Sequence, residues 1–401
     1  MIRKFKRLFL SGDRIFVSLR ALSVVTALAF ALIYSKQMGV ERRGLLTFVM
    51  TTNLVFSILL ISGISLHLRN LVRRVDVELV LGGYLTAVMF FSLFTPALNF
   101  LVLKSYESIF GSQIPNNLLY VSALYCFFST LSYGMHDALL LIKSLKIASV
   151  MDLGVVFIQI AGYLTLIYVG ETSYFVSVLI AISISYLVMV SAIFVLLVYA
   201  FNPKLNLSLK FLKKLFFDSS TPTLVNLANQ LLERVDKVFL GLQIGAGDLG
   251  RFSTSQSVVG VLRFLPDALS KLSIARDKNY LRWKLSSFRT ILASLFLAVS
   301  MAELASLFTR YFLGQEWVLP ALMLLSIAFL EVTRGFHSLV VMNAIRAEAY
   351  RGLKRITLSQ IVCGFFIQPF AIHFYGLWGS ILTSLFIFIG GIYSMRVHIN
   401  A

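Results

Sequence analysis

The sequence predicts an all-α integral membrane protein. It has about twelve transmembrane helices in two six-helix halves, related by a pseudo-two-fold axis along the membrane normal, with a central cavity between them. Three observations carry this expectation: a composition made for lipid, a regular series of apolar runs, and an internal repeat. The 401 residues are 58% hydrophobic and only 13% charged, and Phe alone contributes 35 positions. Soluble domains hold about 25% charged and about 45–50% apolar residues. The mean hydropathy of +0.85 points the same way.

Apolar runs long enough to cross or tilt across a bilayer fall at about 15–35, 45–66, 79–102, 117–142, 149–169, 173–200, 217–242, 252–270, 286–309, 318–343, 356–374 and 378–395. The loops between them are short, which excludes a separate soluble domain. The first run lacks a small-residue cleavage site behind it, so the first helix is expected to stay in the membrane.

Lysine and arginine orient the runs. With the N-terminus in the cytoplasm, 24 of the 36 basic residues fall in the cytoplasmic tails and loops, 6 fall outside, and 6 lie within the runs. That bias predicts cytoplasmic N- and C-termini and supports the span count, because one missed helix would scramble the alternation downstream. It also explains the net charge of +18 without nucleic acid. Cys126 and Cys363 both sit in apolar runs, with no ligand cluster around them to suggest a disulfide or a metal.

The repeat is read from three echoes. "MGVERRGLLT" (Met38 to Thr47) matches "IGAGDLGRFS" (Ile244 to Ser253) in its two glycines, five apart, at an offset of 206. "FGSQIPNN" from Phe110 answers "LGQEWVLP" from Leu313, and "YVG" at Tyr168 answers "FYG" at Phe374. Agreement on an offset near 205 predicts halves spanning 1–200 and 217–401. The connector, 201–216, contains the amphipathic, basic "FNPKLNLSLKFLKK".

Several of these stretches resemble polysaccharide flippases. "SKQMGVERRGLLTF" is similar to their "lGpegrGl" signature, and "LERVDKVFLGLQIGAGDLGRFSTSQSV" to "rlDrlllgyllGpeelGyYsva". "LGQEWVLPALMLLSIAF" and "YGLWGSILTSLF" resemble the entries to the family's tenth and last helices. Arg251 and Phe252 depart from the small or tyrosine residues usual there. The resemblance spans nearly the whole chain and implies the multidrug/oligosaccharidyl-lipid/polysaccharide exporter superfamily. Within it, the chain looks like an O-antigen repeat-unit flippase of lipopolysaccharide biosynthesis in the bacterial inner membrane. Such proteins move undecaprenyl-diphosphate-linked oligosaccharides from the cytoplasmic to the periplasmic leaflet. The resemblance implies no cofactor. The partners are the lipid-linked oligosaccharide, membrane lipid, a proton or sodium ion, and other membrane proteins of polysaccharide assembly; nucleic acid is not among them. A drug/cation antiporter and a peptidoglycan-precursor flippase of the same superfamily are the close alternatives, the latter usually with extra helices and a longer chain, and a polytopic glycan polymerase is a further one. No enzyme is expected, because the outer loops are short and the five histidines show no paired spacing. No "GxxxxGK[ST]" motif is present, so an ion gradient or removal of product would supply the energy.

Charges inside the runs are the candidate site. A charged group at bilayer depth costs about 2.5–3.5 kcal/mol on insertion scales unless it pairs or faces a cavity. Arginine's planar fork binds phosphate oxygens in pairs. Arg20, Arg234, Lys237, Arg263 and Arg334 are therefore candidate contacts for the diphosphate or sugars, and Arg20 could equally snorkel. Asp236, Glu233 and Glu331 are candidate carriers of the coupling ion. On a continuous helix Glu233 and Lys237, four apart, would pair, and the charges of "LERVDKVFLG" would share one flank. Arg263 with Asp267, and Glu331 with Arg334, are further spaced pairs, the former beside Pro266, which permits a kink. A mutually neutralised structural patch is the competing reading. Eight acids in the runs balance the bases, so a uniformly cationic cavity does not follow from sequence.

Overall fold

The computed structural model describes residues 13–61, 77–110, 116–141, 145–169, 173–201, 203, 220–264, 266–269, 288–346 and 350–400. The connector around 201–216 lies almost wholly outside them.

Among the described residues the regular structure is helical throughout, the form in which a spanning segment satisfies its own backbone. In chain order the first half supplies α1 (Asp13–Met38), α2 (Val40–Ile61), α3 (Val77–Ser92), α4 (Thr95–Phe110), α5 (Asn116–Leu141), α6 (Leu145–Tyr168) and α7 (Tyr174–Phe201). The second half supplies α8 (Ser220–Leu232), α9 (Val235–Gln243), α10 (Ala246–Val259), α11 (Phe288–Phe308), α12 (Ala321–Arg346) and α13 (Tyr350–Asn400). Most of the expected spans coincide with one of these helices, or with two joined end to end; the eighth, 252–270, does not, since α10 ends at Val259 and a 3-10 turn, Gly260–Arg263, follows, and residues 62–66 of the second span lie outside the described residues. The third is broken between α3 and α4, and the seventh between α8 and α9. The eleventh and twelfth run on as α13, bent where Gly376 adopts φ 57°, ψ −134°. Eight helical stretches of the described residues, one of them α3 and α4 taken together, are long and apolar enough to cross a membrane. Their outward residues are apolar too: Phe296, Phe366, Phe386 and Tyr199 are all largely exposed, as suits contact with lipid.

The chain forms two compact units. Their division differs from the sequence boundary at 200: Met1–Ser23 joins Val49–Gln230, while Val24–Phe48 joins Leu231–Ala401. The end of α1 and the start of α2 thus belong with the second unit.

In the first unit, α3, α5, α6 and α7 bury Tyr84, Val88, Met135, Leu139 and Leu197. Tyr84 donates its hydroxyl to the Gly134 carbonyl at 3.0 Å. A polar ladder crosses this core: Asn53 donates to Ser129, Ser57 and Thr130 share a bond at 2.7 Å, and Asn99 donates to Ser122 at 3.1 Å. Such bonds link helices where apolar burial gives little net drive.

In the second unit the repeat found in the sequence becomes a symmetric contact. Gly39 and Gly245 turn the chain into α2 and α10 with φ of 81° and 102°, a region open to glycine. A Cβ on Gly44 would strike the Ala246 carbonyl, and one on Gly250 would strike the Val40 carbonyl. Val40 and Ala246, like Gly44 and Gly250, are 206 apart. Thr47 and Ser253, also 206 apart, meet each other, Thr47 Oγ1 donating to Ser253 Oγ at 2.9 Å. A local two-fold axis therefore passes between Thr47 and Ser253, and the two glycines let the backbones touch across it. For the other two echoes, Gly314 and Gly376 also have positive φ, while their first-half counterparts Gly111 and Gly170 lie outside the described residues.

Candidate functional site

The charged stretch "LERVDK" is where the seventh span breaks. Arg234 N–H donates to the Leu231 carbonyl at 2.9 Å, a three-residue turn, and the helix restarts as Lys237 and Val238 donate to the Arg234 carbonyl. Arg234 sits at φ −126°, ψ −19°, outside the helix. Neither Gly nor Pro lies at the break. The side chains account for it: Asp236 Oδ1 takes the Lys237 N–H at 2.8 Å, a local bond that competes with the helical ladder. Glu233 and Asp236 reach for arginines on different elements. The expected Glu233–Lys237 pair on one continuous helical flank is thereby corrected. The break rotates Glu233 away from α9, and its partner is Arg263, Oε1 to Nη2 at 2.5 Å.

Arg263 ends the 3-10 turn Gly260–Arg263 that follows α10. Its Nε also lies 3.4 Å from Asp267, a looser contact than the one with Glu233. Helix α12 brings in Glu331 and Arg334, one turn apart. It can approach because position 335 is glycine, where a Cβ would come within 2.9 Å of the Pro266 ring. Arg334 Nη2 binds Asp236 at 2.5 Å, and Nη1 binds Glu331 at 2.7 Å. Glu331 also accepts from Gln256 Nε2 at 2.6 Å. The Arg334 guanidinium stacks 5.4 Å from the Phe388 ring centroid. The Arg334 side chain is 1% exposed and its carboxylate partners at most 4%, so the ion pairs are dry. Below them His337 takes a hydrogen bond from Gln360 Nε2 at 3.1 Å, and Gln360 also donates to the Ile387 carbonyl.

The second-half candidates thus converge on one network of four elements. Its carboxylates Glu233, Asp236, Asp267 and Glu331 stand against Arg234, Lys237, Arg263 and Arg334. Each of Glu233, Asp236 and Glu331 already accepts from an arginine. Lys237 differs: it is half-buried, and among the described residues no carboxylate lies within 4 Å of its ammonium. Arg20 is not part of this network. It lies in the first unit, donating to Asp152, with His136 on the other carboxylate oxygen. Gln256, His337 and Gln360 were not singled out from sequence, since an amide or imidazole in an apolar run gives no signal of its partner. Among the described residues no group of three His, Cys, Asp or Glu side chains could hold a metal ion.

No family model matches the sequence, and no curated protein does. Solved structures match over nearly the whole chain. An inward-facing multidrug resistance MATE family transporter of the MOP superfamily superposes with TM-score 0.69 at 13% identity, covering 97% of this chain and 98% of that one. The lipid II flippase MurJ, in an inward closed conformation, gives 0.66 at 14%, covering 96% and 87%. The Vibrio cholerae MATE transporter VcmN, in a bent form, gives 0.60 at 12%, covering 96% and 94%. The fold is that of MOP superfamily transporters, and the chain is a multi-pass membrane protein.

Proposed function

We propose that this protein is a flippase for undecaprenyl-diphosphate-linked O-antigen repeat units. It carries them from the cytoplasmic to the periplasmic leaflet of the bacterial inner membrane by alternating access, driven by an ion gradient. The observation that carries the reading is the interrupted helix α8–α9, with a charge network at membrane depth and Lys237 beside it, which has no carboxylate within ion-pair distance among the described residues. Discontinuous spanning helices mark substrate sites in transporters, because the break frees polar groups where an anionic ligand can meet them. The family resemblance of the sequence selects the lipid-linked glycan among MOP cargoes, and one fold neighbour is named a lipid II flippase.

In this reading Lys237 and Arg234 meet the diphosphate. Arg263 and Arg334, whose forks carboxylates already fill, hold the two helix segments in register. On the topology expected from the lysine and arginine bias, the Thr47–Ser253 contact sits at the outer end of the spans. It opens when the carrier faces outward.

Deleting the gene tests the reading. Loss of surface polysaccharide with unflipped lipid-linked oligosaccharide accumulating inside, and restoration by the wild-type gene, is the expected result. Intact surface polysaccharide with altered dye efflux would instead establish a drug/cation antiporter; one fold neighbour is named a multidrug resistance transporter.

A further inference from the structure

The repeat that pairs Gly39 with Gly245 also shows where the two halves differ. At the same offset of 206, Tyr34 answers Leu240 and Arg43 answers Leu249. Both leucines are wholly buried, so in the second half two aliphatic side chains meet the packing needs of these places. The first half puts a phenol and a cation there instead. Packing alone does not call for them.

Arg43 is 6% exposed. Its Nη1 donates to the Tyr34 hydroxyl at 2.9 Å, and its Cζ lies 5.0 Å from the Tyr34 ring centroid. Phe30 meets that ring edge to face at 5.0 Å and holds it in place. Nε is buried and has no hydrogen-bond partner. Among the described residues no carboxylate lies within 4 Å of the guanidinium. Asp248 binds Arg251 at 3.1 Å, Glu316 accepts from Trp317 at 3.1 Å, and Glu41 is exposed. A guanidinium has five N–H donors and no acceptor, and a phenol that accepts a bond keeps its own O–H to donate. The pair thus offers a positive charge and uncommitted donors, with no protein anion to answer them. A buried charge is costly unless it is paired, and this one meets a neutral hydroxyl and a ring face.

We propose that Arg43 and Tyr34 form a phosphate-binding site at the joined ends of α1 and α2, filled when the contact between α2 and α10 parts. The free edge of the guanidinium is Nε with Nη2, two N–H groups side by side, the fork that takes phosphate oxygens in pairs. The Tyr34 O–H can donate to the same group. The inference rests on the flippase reading for one point, that the phosphate arrives on the departing cargo; a phospholipid headgroup carries the same chemistry.

Access follows from the neighbours. Thr47 Oγ1, one turn on, lies 3.0 Å from the Arg43 carbonyl and 2.9 Å from Ser253 Oγ. Gly44, next in the chain, packs against the Ala246 carbonyl. The turn that carries Arg43 is therefore the turn that makes the contact, and parting the contact uncovers the cation. A phosphate that binds only then favours the open arrangement. Arg43 is the fourth residue of α2, about 5 Å from its start by helix rise. On the topology expected from the lysine and arginine bias, that is the headgroup level of the outer leaflet.

The test gives the first half the residue of the second. Full-length Lys237→Met protein, in which the site proposed on α9 is weakened, is the parent, and Arg43→Leu is added to it. Both are titrated in a non-ionic detergent free of phospholipid with inorganic pyrophosphate, undecaprenyl phosphate or phosphatidylglycerol, and binding is read from the rise in unfolding midpoint. Arg43→Leu should weaken pyrophosphate binding about tenfold or more, with a ligand-free midpoint near the parent's. An affinity within about twofold of the parent's overturns the proposal. If Arg43→Leu is too unstable to titrate, Tyr34→Phe decides, since it keeps the ring and the cation. Binding at least about threefold weaker upholds the site, and unchanged binding sinks it. Tighter binding of undecaprenyl phosphate than of phosphatidylglycerol upholds the cargo as the source; the reverse order overturns that point and assigns the site to a lipid headgroup.

The two readings fail separately. Pyrophosphate binding lost with Arg43→Leu, in a protein whose gene deletion spares surface polysaccharide, keeps the site and removes the flippase. Unchanged binding, with polysaccharide lost on deletion, removes the site and keeps the flippase.

Discussion

Replacing Arg334 by methionine strips the second-half network of its central cation while keeping most of the side chain's volume. Two carboxylates lose their partner, Asp236 at 2.5 Å and Glu331 at 2.7 Å, and all three groups are at least 96% buried by side chain. At these depths removing one member of an ion pair costs about 3–5 kcal/mol, because the partner is left charged and dry. Loss of the stacking on Phe388 adds on the order of 1 kcal/mol. Two pairs do not double the figure, since Gln256 still donates to Glu331 and a freed acid can take up a proton. The expected loss is therefore about 4–5 kcal/mol. The assay is thermal unfolding of purified protein in detergent, where Arg334→Met should lower the midpoint by roughly 5–15 °C. Adding Asp236→Asn and Glu331→Gln to Arg334→Met should recover most of that drop, because the buried charges are then gone. Lys237→Met is the contrast: it strands no carboxylate and should cost less than about 1 kcal/mol. An Arg334→Met protein within 2 °C of wild type, or a coupling energy with Asp236→Asn below about 0.5 kcal/mol, would refute the role given to this arginine.

The remaining expectations use other parts of the structure. Lys237→Ala should cut surface polysaccharide strongly while leaving the amount of folded protein unchanged; normal polysaccharide would remove Lys237 from the binding site. Gly44→Val should destabilise by about 1–3 kcal/mol through its clash with the Ala246 carbonyl, read as a lowered unfolding midpoint. Gly39→Ala would test the turn alone, through its φ of 81°. Cross-linking Thr47→Cys to Ser253→Cys should stop glycan export and reductant should restore it. Export through a fully cross-linked protein would show that this contact need not open. Gln360→Ala should cost about 1–3 kcal/mol, because His337 and the Ile387 carbonyl each lose a buried hydrogen bond.

The span series was legible because hydropathy is a local property. A helix must be apolar over about 20 residues whatever its neighbours are, and Tyr174–Phe201 or Ala321–Arg346 declares itself without them. The repeat was legible for a related reason: two segments placed alike by a local two-fold axis keep the same glycines, Gly39 with Gly245 and Gly44 with Gly250. Sequence also found the charged stretch at 233–237 and the spaced pair Glu331–Arg334, which meet because three residues on one helix are one turn. It could not find the break at Glu233–Arg234, where no Gly or Pro announces one. That break exists because Glu233 and Asp236 are drawn to Arg263 and Arg334, 30 and 98 residues away. Nor could it place Val24–Phe48 with the second unit, or bring His136, Asp152 and Arg20 together from three helices. The sequence alone determined what each segment is, since burial in lipid is decided residue by residue. Which charge neutralises which was decided by tertiary structure, because an ion pair needs two groups within 4 Å and chain separation does not set that distance.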